Sequence, residues 1–223
     1  MPETHQSSFS ASLIRIHKVF TRALDVILEY GQSFAGQGFS DAETQKGFVS
    51  YVQSFVSLLH AHHTIEDEMI FPYFREKMPD KNFDSLTKQH RWIIPFLDKI
   101  KVAIEKAATD FQARDSLDDL TRATSKIHEI WSPHIKTEES YFSSERVNAL
   151  VNIEEQMRLN QLVAELSQKH SGPDYLVVPF TLYNMSPQDR EIMSQGMPPI
   201  VTQQLVPIEW KEKWEPMLPF LLD

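Results

Sequence analysis

The chain has 223 residues, of which 41% are hydrophobic and 24% charged. This is enough for one sizeable core, and it excludes disorder along the whole length. The chain contains no cysteine, so disulfides, iron–sulfur clusters and thiolate catalysis are impossible, and a metal would need histidine and carboxylate ligands. The net charge of −9 with scattered basic residues argues against nucleic-acid binding, and no apolar run is long enough to cross a membrane.

Apolar residues spaced alternately three and four apart predict four long helices in the first part of the chain. The first helix is predicted over about residues 10–30 and should end at Gly31, because glycine is favoured just after a helix. The second is predicted to start at a capping box formed by Ser40 and Glu43 and to end near residue 77.

The third helix is predicted over about residues 83–108 and the fourth over about residues 115–145. Each contains one proline, Pro95 or Pro133, which should kink it. Four long helices with short connections predict an all-α protein built on an antiparallel four-helix bundle at residues 10–146.

Residues 147–223 are predicted to form an additional helix over about residues 152–170 and a proline- and aromatic-rich extension. Eight of the 13 prolines lie beyond residue 170, so only short pieces are expected there, including a helix start at Ser186 and an amphipathic stretch at residues 210–214. The extension has too many large apolar side chains to stay solvated, so it should pack onto the bundle.

Ionisable residues interrupt the apolar stripe of each predicted bundle helix: His17 in the first, His62 and Glu66 in the second, His90 in the third, and His134 and Glu138 in the fourth. Residues four apart lie on one face of a helix, so each His-x-x-x-Glu pair directs an imidazole and a carboxylate towards the same point. Six such groups cannot be buried together without a neutralising partner. Nitrogen and oxygen donors without sulfur suit two ions of iron or manganese, with zinc less favoured.

A competing pair, His63 and Asp67, lies one position along the second helix. It would face the core if that helix were rotated by about 100°. His62 and Glu66 are preferred because they complete an unbroken stripe from Phe48 to Tyr73.

Other polar residues near the predicted ligands have alternative roles. Tyr73 and Tyr141 lie on the ligand stripes, where either could donate a hydrogen bond to a bound oxygen species or pair with a local partner. Asp67, Glu68 and Glu139 could accept hydrogen bonds from ligand histidines. Trp131 and Met69 are expected to pack in the core, and the remaining histidines are expected at helix flanks or in solvent: His5, His60, His128 and His170.

Residues 62–72 and 134–142 resemble the second-helix and fourth-helix signatures of the hemerythrin-like, or HHE cation-binding, domains, and the resemblance covers about residues 10–145. It implies a four-helix bundle with a non-haem centre of two iron ions bridged by oxide or hydroxide, with manganese or zinc less favoured. It also implies that His17, His62, His90 and His134 are terminal iron ligands, while Glu66 and Glu138 bridge the two irons.

The sequence departs from the oxygen-carrying hemerythrins, whose third helix has two histidines four residues apart. Leu86 and Ile94 occupy the positions four residues either side of His90, so the pattern is similar to that of the members with four histidines and two glutamates. Those members are associated with iron–sulfur repair, nitric oxide chemistry or iron sensing. The C-terminal extension resembles extensions of fungal hemerythrin-like proteins.

These observations favour three functions, in decreasing order. The first is a di-iron oxidoreductase that activates O2 or peroxide on a small molecule, with the extension shaping the pocket. The second is a reversible O2- or NO-binding, iron-sensing or storage protein, and the third is a bundle that uses metal only for stability. The N-terminus lacks the basic flank and apolar stretch of a signal peptide, so a cytoplasmic protein is expected. The sequence predicts neither the substrate nor the oligomeric state.

Overall fold

The computed structural model describes residues 8–222, and helices occupy most of this range. The first is α1 (Phe9–Gln37), and the second is α2 (Ala42–Ile65), which continues through a π-helical turn (Glu66–Ile70) into α3 (Phe71–Lys77). Two further long helices follow, α4 (Phe83–Ala107) and α5 (Arg114–Tyr141). Helix α5 packs along both α1 and α4, and α4 packs against α2. The predicted all-α, four-helix architecture is confirmed.

The predicted end of the first helix at Gly31 is wrong. Helix α1 continues to Gln37 and is capped by Gly38, which has a positive φ of 79°. Gly31 is buried instead, and a Cβ atom there would lie only 3.1 Å from Thr121 Cγ2 and 3.2 Å from Leu120 Cδ2 of α5. This glycine therefore lets α1 and α5 approach closely.

The predicted capping box at the second helix is displaced by one residue. Asp41 is the N-cap, and its Oδ1 accepts a hydrogen bond from the Thr44 backbone N–H at 2.7 Å. The Ser40 hydroxyl donates to Asp41 Oδ2 at 2.7 Å. Aspartate accepts this bond in the ionised state, which makes it a strong cap at the positive end of a helix.

Two helices follow the bundle, α6 (Ser144–Leu150) and α7 (Ile153–His170). The side chain of Gln156 in α7 is buried, accepts a hydrogen bond from the Phe9 backbone N–H at 3.1 Å and donates to the Val151 carbonyl at 2.9 Å. Leu159 of the same helix packs in an apolar cluster with Phe74 and Phe142. Helix α7 therefore packs against α2 and holds the start of α1.

The rest of the chain is more helical than predicted. It contains α8 (Asp174–Tyr183), α9 (Pro187–Gln195), a π-helical segment (Val201–Glu209), α10 (Lys211–Trp214) and a 3₁₀ helix (Glu215–Phe220). Ser186 caps α9 by accepting from the Asp189 backbone N–H at 3.2 Å, so the helix start predicted there is confirmed. Pro187 and Pro216 occupy first turns, where the missing N–H has no helical partner.

The C-terminal segments pack between α1 and α2. Phe220 lies against Phe48 and Tyr51, with ring centroids 5.5 and 5.9 Å away. Arg22 of α1 donates to the Phe220 carbonyl at 2.8 Å, and the Tyr51 hydroxyl of α2 donates to Asn184 Oδ1 at 2.7 Å. The extension thus provides part of the main apolar core instead of lying outside it. No helix within residues 8–222 is long and apolar enough to cross a membrane.

Gly47 of α2 lies very close to the extension, because a Cβ atom there would lie 1.9 Å from the Pro216 carbonyl oxygen. We predict that Gly47→Ala lowers the free energy of unfolding by about 3 kcal/mol, since the 3₁₀ helix must move away. Gly36→Ala is the control: a Cβ atom at Gly36 would have no neighbouring atom within 4 Å, and alanine should stabilise α1 by up to about 1 kcal/mol. Urea unfolding measures both changes, and equal effects would contradict the prediction.

Candidate metal centre

Seven ionisable side chains from all four bundle helices meet inside the protein: His17, His62, His63, Glu66, His90, His134 and Glu138. We call them the His/Glu cluster. Six are buried, and the His62 side chain is 10% exposed. The cluster touches both apolar cores, since Phe20 of the main core lies 5.0 Å from His62 and Phe71 of the second lies 5.4 Å from His90, between ring centroids.

The cluster divides into two groups of potential ligand atoms. One contains His63, Glu66, His90 and His134, and the other contains His17, His62, Glu66 and Glu138. Within each group the ligand atoms lie within 4.8 Å of one another. Glu66 belongs to both groups, which is the arrangement expected for two neighbouring metal ions that share a carboxylate.

The second carboxylate, Glu138, also lies near both groups. Its Oε2 atom is 3.4 Å from His17 Nε2 and 3.5 Å from His134 Nε2, and these two histidines belong to different groups. Glu66 spans the groups in the same way, with Oε1 3.0 Å from His62 Nε2 and Oε2 3.5 Å from His90 Nε2. The positions of both carboxylates therefore fit the bridging roles that the resemblance implies.

Unpartnered polar atoms test whether these residues fit a metal. His17 Nε2, His62 Nε2, both ring nitrogens of His63 and all four carboxylate oxygens of Glu66 and Glu138 are buried without a hydrogen-bond partner within the described part of the chain. Burying such atoms unpaired costs free energy, and burying unpaired carboxylates costs more. Cations placed in the two groups would satisfy these atoms together, so the donor set fits a pair of metal ions.

His62 and His63 both face the cluster, although the sequence pattern presented them as alternatives. Successive residues of a helix point about 100° apart. Glu66 is four residues after His62 and three after His63, so its side chain points between the directions of these two histidines. The π-helical turn begins at Glu66, and such turns are frequent at functional sites. His63 therefore adds to the predicted set, and no rotation of the helix is required.

The structure also separates His63 from its predicted partner Asp67. Asp67 Oδ1 accepts from His90 Nδ1 at 3.0 Å and from the Thr87 hydroxyl at 2.6 Å. Asp67 thus orients a cluster histidine, which was one of the roles considered for it, and its carboxylate is not among the grouped ligand atoms.

Two further histidines are oriented in the same way. His17 Nδ1 donates to Glu139 Oε1 at 2.9 Å, and His134 Nδ1 donates to Gln89 Oε1 at 3.0 Å. These bonds hold the proton on Nδ1 and leave Nε2 free to face the cluster. Glu139 was considered for this role from the sequence, whereas Gln89 was missed because its position beside His90 carries no distinguishing pattern.

Burial and mutual charge perturb the pKa values of the cluster in the metal-free protein. Burial lowers the pKa of His134 to about 4 and those of His62 and His63 well below the usual value. For His17 burial acts in the same direction, but Glu138 and Glu139 outweigh it and raise the pKa to about 9. Burial and the neighbouring Glu138 raise the pKa of Glu66 well above its usual range.

Glu138 shows the opposite shift from Glu66. Burial favours its neutral form, yet the positive charge of nearby His17 outweighs burial and holds the pKa of Glu138 below its usual range. Without metal, burial and the neighbouring charges therefore favour the protonated forms of both His17 and Glu66.

Trp131 and Met69 pack against apolar residues, as predicted from their spacing. The Trp131 ring stands edge-on to His17 at 5.5 Å between centroids, and its Nε1 donates to the Thr21 hydroxyl at 2.9 Å. His63 stacks on His90 at 4.0 Å with an angle of 13° between the rings. These contacts restrict the orientation of the cluster imidazoles.

The two candidate tyrosines have local contacts. The Tyr73 hydroxyl donates to Glu155 of α7, and the Tyr141 ring packs against Phe83 at 5.7 Å and beneath Lys81. The remaining histidines lie outside the cluster: His60 and His170 are exposed, His128 pairs with Asp25 at 3.2 Å, and His5 lies outside the described residues.

Two clefts approach the cluster. The larger, of about 300 Å³, lies between α1 and α5 and reaches His17 and Glu139. The smaller, of about 50 Å³, lies between α2 and α4 and reaches His63 and Asp67. Both are lined by residues of the four bundle helices. The expectation that the extension shapes a pocket wall is therefore not met at either cleft, because the extension fills the groove between α1 and α2.

Comparison with known proteins identifies the bundle. A family model described as the hemerythrin HHE cation binding domain matches residues 9–145. No curated protein and no solved structure matches the chain. The matched segment contains the whole His/Glu cluster and ends before α7.

Glu66 is the residue whose loss should affect both metal positions, because it belongs to both ligand groups. We predict that Glu66→Ala reduces bound metal from about two ions per chain to well below one. The matched control is Glu68→Ala, which removes an exposed carboxylate from the same turn and should retain the metal. Elemental analysis of the purified proteins measures the stoichiometry, and retention of two ions by Glu66→Ala would contradict the shared-ligand assignment.

The raised pKa of His17 predicts a pH dependence for the metal-free protein. Between pH 6.5 and about 9, the native state holds a proton on His17 that the unfolded chain releases, so stability should decrease as pH rises through this window. The decrease due to His17 should be at most about 3 kcal/mol. His17→Gln should reduce the dependence of the free energy of unfolding on pH, whereas the exposed control His170→Gln should leave it unchanged. Urea unfolding at several pH values in this window measures both variants. The prediction is contradicted if His17→Gln and the unaltered protein show the same dependence on pH.

Proposed function

The chain belongs to the hemerythrin HHE cation-binding domain family, and from this premise we propose that it is a non-haem di-iron protein. The seven residues of the His/Glu cluster would hold two iron ions, with Glu66 and Glu138 shared between them. The observation that carries the proposal is the set of buried, unpartnered nitrogen and oxygen atoms in two groups that share a carboxylate. Imidazole and carboxylate donors without sulfur suit iron, with manganese and zinc as weaker fits.

When bound, a ferrous pair would supply a site at which O2, NO or peroxide can bind, with oxide or hydroxide as a bridge between the ions. The protein supplies the environment. Phe20, Trp131 and Phe71 pack around the cluster and limit the entry of water. Asp67, Glu139 and Gln89 hold the Nδ1 protons of His90, His17 and His134 and keep these imidazoles in one orientation.

We favour reversible binding of a small oxidant over turnover of an organic substrate. The additional imidazole of His63 gives one group three histidines as well as Glu66, which leaves fewer positions for external ligands than the four-histidine set expected from the sequence. The cleft that reaches His63 has only about 50 Å³, far below the roughly 300–1,000 Å³ of typical ligand pockets. A diatomic molecule fits these restrictions better than an organic substrate.

An oxidoreductase acting on peroxide or a small molecule is the second candidate. The observation that favours it is the cleft of about 300 Å³ beside His17 and Glu139, whose size is at the lower end for a substrate pocket. A molecule in that cleft would contact the side of the His17 ring that carries Nδ1, opposite the Nε2 atom that faces the cluster. It could therefore approach the metal ligands without replacing one of them.

The reaction of the ferrous protein with O2 distinguishes these functions. Reversible binding predicts an optical adduct that disappears when O2 is removed. Because His63 is expected to occupy a coordination position, His63→Ala should open it and accelerate irreversible oxidation by about tenfold or more. His60→Ala is the matched control, since His60 lies on the rim of the same cleft but is exposed.

Stopped-flow absorbance and iron analysis measure these outcomes. Irreversible oxidation of the unaltered protein in one exposure, with product formed from an added small molecule, would support the oxidoreductase instead. Zinc as the bound metal, with no optical change, would indicate a structural role and contradict the proposal.

A further inference from the structure

Six exposed side chains form one row along the outer face of α4: Lys88, Trp92, Pro95, Lys99, Val102 and Lys106. Their alternating separations of four and three residues place them on a single helix face. We call this row the α4 stripe. At 1.5 Å per residue it is about 27 Å long. Trp92 and Val102 each keep 51% of their surface exposed, which is a large apolar exposure for a lysine-rich face.

The stripe is basic in a protein with a net charge of −9. It contains three lysines and no acidic residue, and none of these lysines forms an ion pair with any residue between positions 8 and 222. Lys88 Nζ lies 5.3 Å from the centre of the Trp92 ring, so the charge lies beside a large exposed apolar side chain. Such a surface has positive potential and attracts an acidic partner.

The stripe lies directly behind the candidate metal centre. Helix α4 carries His90 on its buried face, so only the thickness of one helix, about 10 Å, separates the stripe from the cluster. Ile94 of the same helix lines the small cleft that reaches His63. A partner bound to the stripe would therefore approach the cluster more closely than one bound to the extension or to α7.

We propose that the α4 stripe is the docking surface for an acidic electron-donor protein. This rests on the proposed function, because a ferrous pair that binds O2 reversibly would still be lost to the ferric state whenever its two electrons pass to O2 and the product leaves as peroxide. Each donor with a one-electron cofactor loses one electron and one ferric ion gains it, so two encounters restore the ferrous pair. The chain has no cysteine and so no thiol that could serve as reductant.

A membrane surface fits the stripe less well than a protein. Helices that bind membranes insert a broad apolar face, but the apolar face of α4, including Leu97 and Ile100, is already buried in the bundle. The outward apolar side chains are separated by lysines. A row about 27 Å long is comparable with one side of a standard protein interface.

A small acidic [2Fe–2S] ferredoxin is the probe for this surface. Calorimetric titration of metal-free and iron-loaded protein should show binding at an ionic strength of about 0.01 M and much weaker binding at about 0.15 M, because the screening length falls from about 30 to about 8 Å. Lys88→Glu with Lys99→Glu should weaken binding by about tenfold or more. The matched control, Lys46→Glu with Lys169→Glu, reverses two exposed charges elsewhere and should change it by less than about twofold.

Several outcomes would overturn the proposal: no binding at low ionic strength, equal weakening by both pairs of substitutions, stripe-dependent binding to anionic vesicles in place of the ferredoxin, or stripe-dependent self-association in place of binding. The iron content of each variant separates this proposal from the proposed function. The stripe variant should retain both ions, whereas Glu66→Ala should lose metal and still bind the ferredoxin. Absence of iron from the unaltered protein, with docking intact, would count against the di-iron function alone.

Discussion

The burial of two carboxylates and five imidazoles in an apolar interior is the constraint on which the rest of the structure depends. Glu66 and Glu138 have no hydrogen-bond partners among the described residues, and their burial is unfavourable unless positive charge accompanies it. The four bundle helices all contribute to the cluster, so whatever neutralises the carboxylates also joins the helices. Metal binding and packing of the bundle should therefore be strongly coupled.

The residues that orient the histidines extend this coupling, because each acts on a helix other than its own. Glu139 of α5 accepts from His17 of α1, Asp67 of the π-helical turn accepts from His90 of α4, and Gln89 of α4 accepts from His134 of α5. Each acceptor is also next in sequence to a cluster residue. A helix that shifts would thus disturb its own ligand and the orientation of a ligand on its neighbour.

The helical period was enough to predict the bundle and six cluster residues, because one buried stripe per helix follows directly from sequence. It could not predict that His62 and His63 both belong to the cluster. Their side chains point about 100° apart, so both reach the cluster only because its centre lies between these two directions. The role of Gly31 has no local pattern for a similar reason, because it is a close contact with Thr121 on another helix. The packing of the extension was expected, but its place between α1 and α2 depends on the contact of Gly47 with Pro216, which has no local signature.

The distribution of charge in the cluster relates this fold to the proposed di-iron chemistry. The two carboxylates would neutralise only half the charge of two ferrous ions, and all five remaining donors are imidazoles. In a low-dielectric interior the residual positive charge favours an anionic bridge or a ligand that becomes negative on binding. O2 can accept electron density, whereas a neutral organic molecule would interact with this field only through its dipole. The charge balance and the small cleft at His63 therefore both support the proposed binding of a small oxidant.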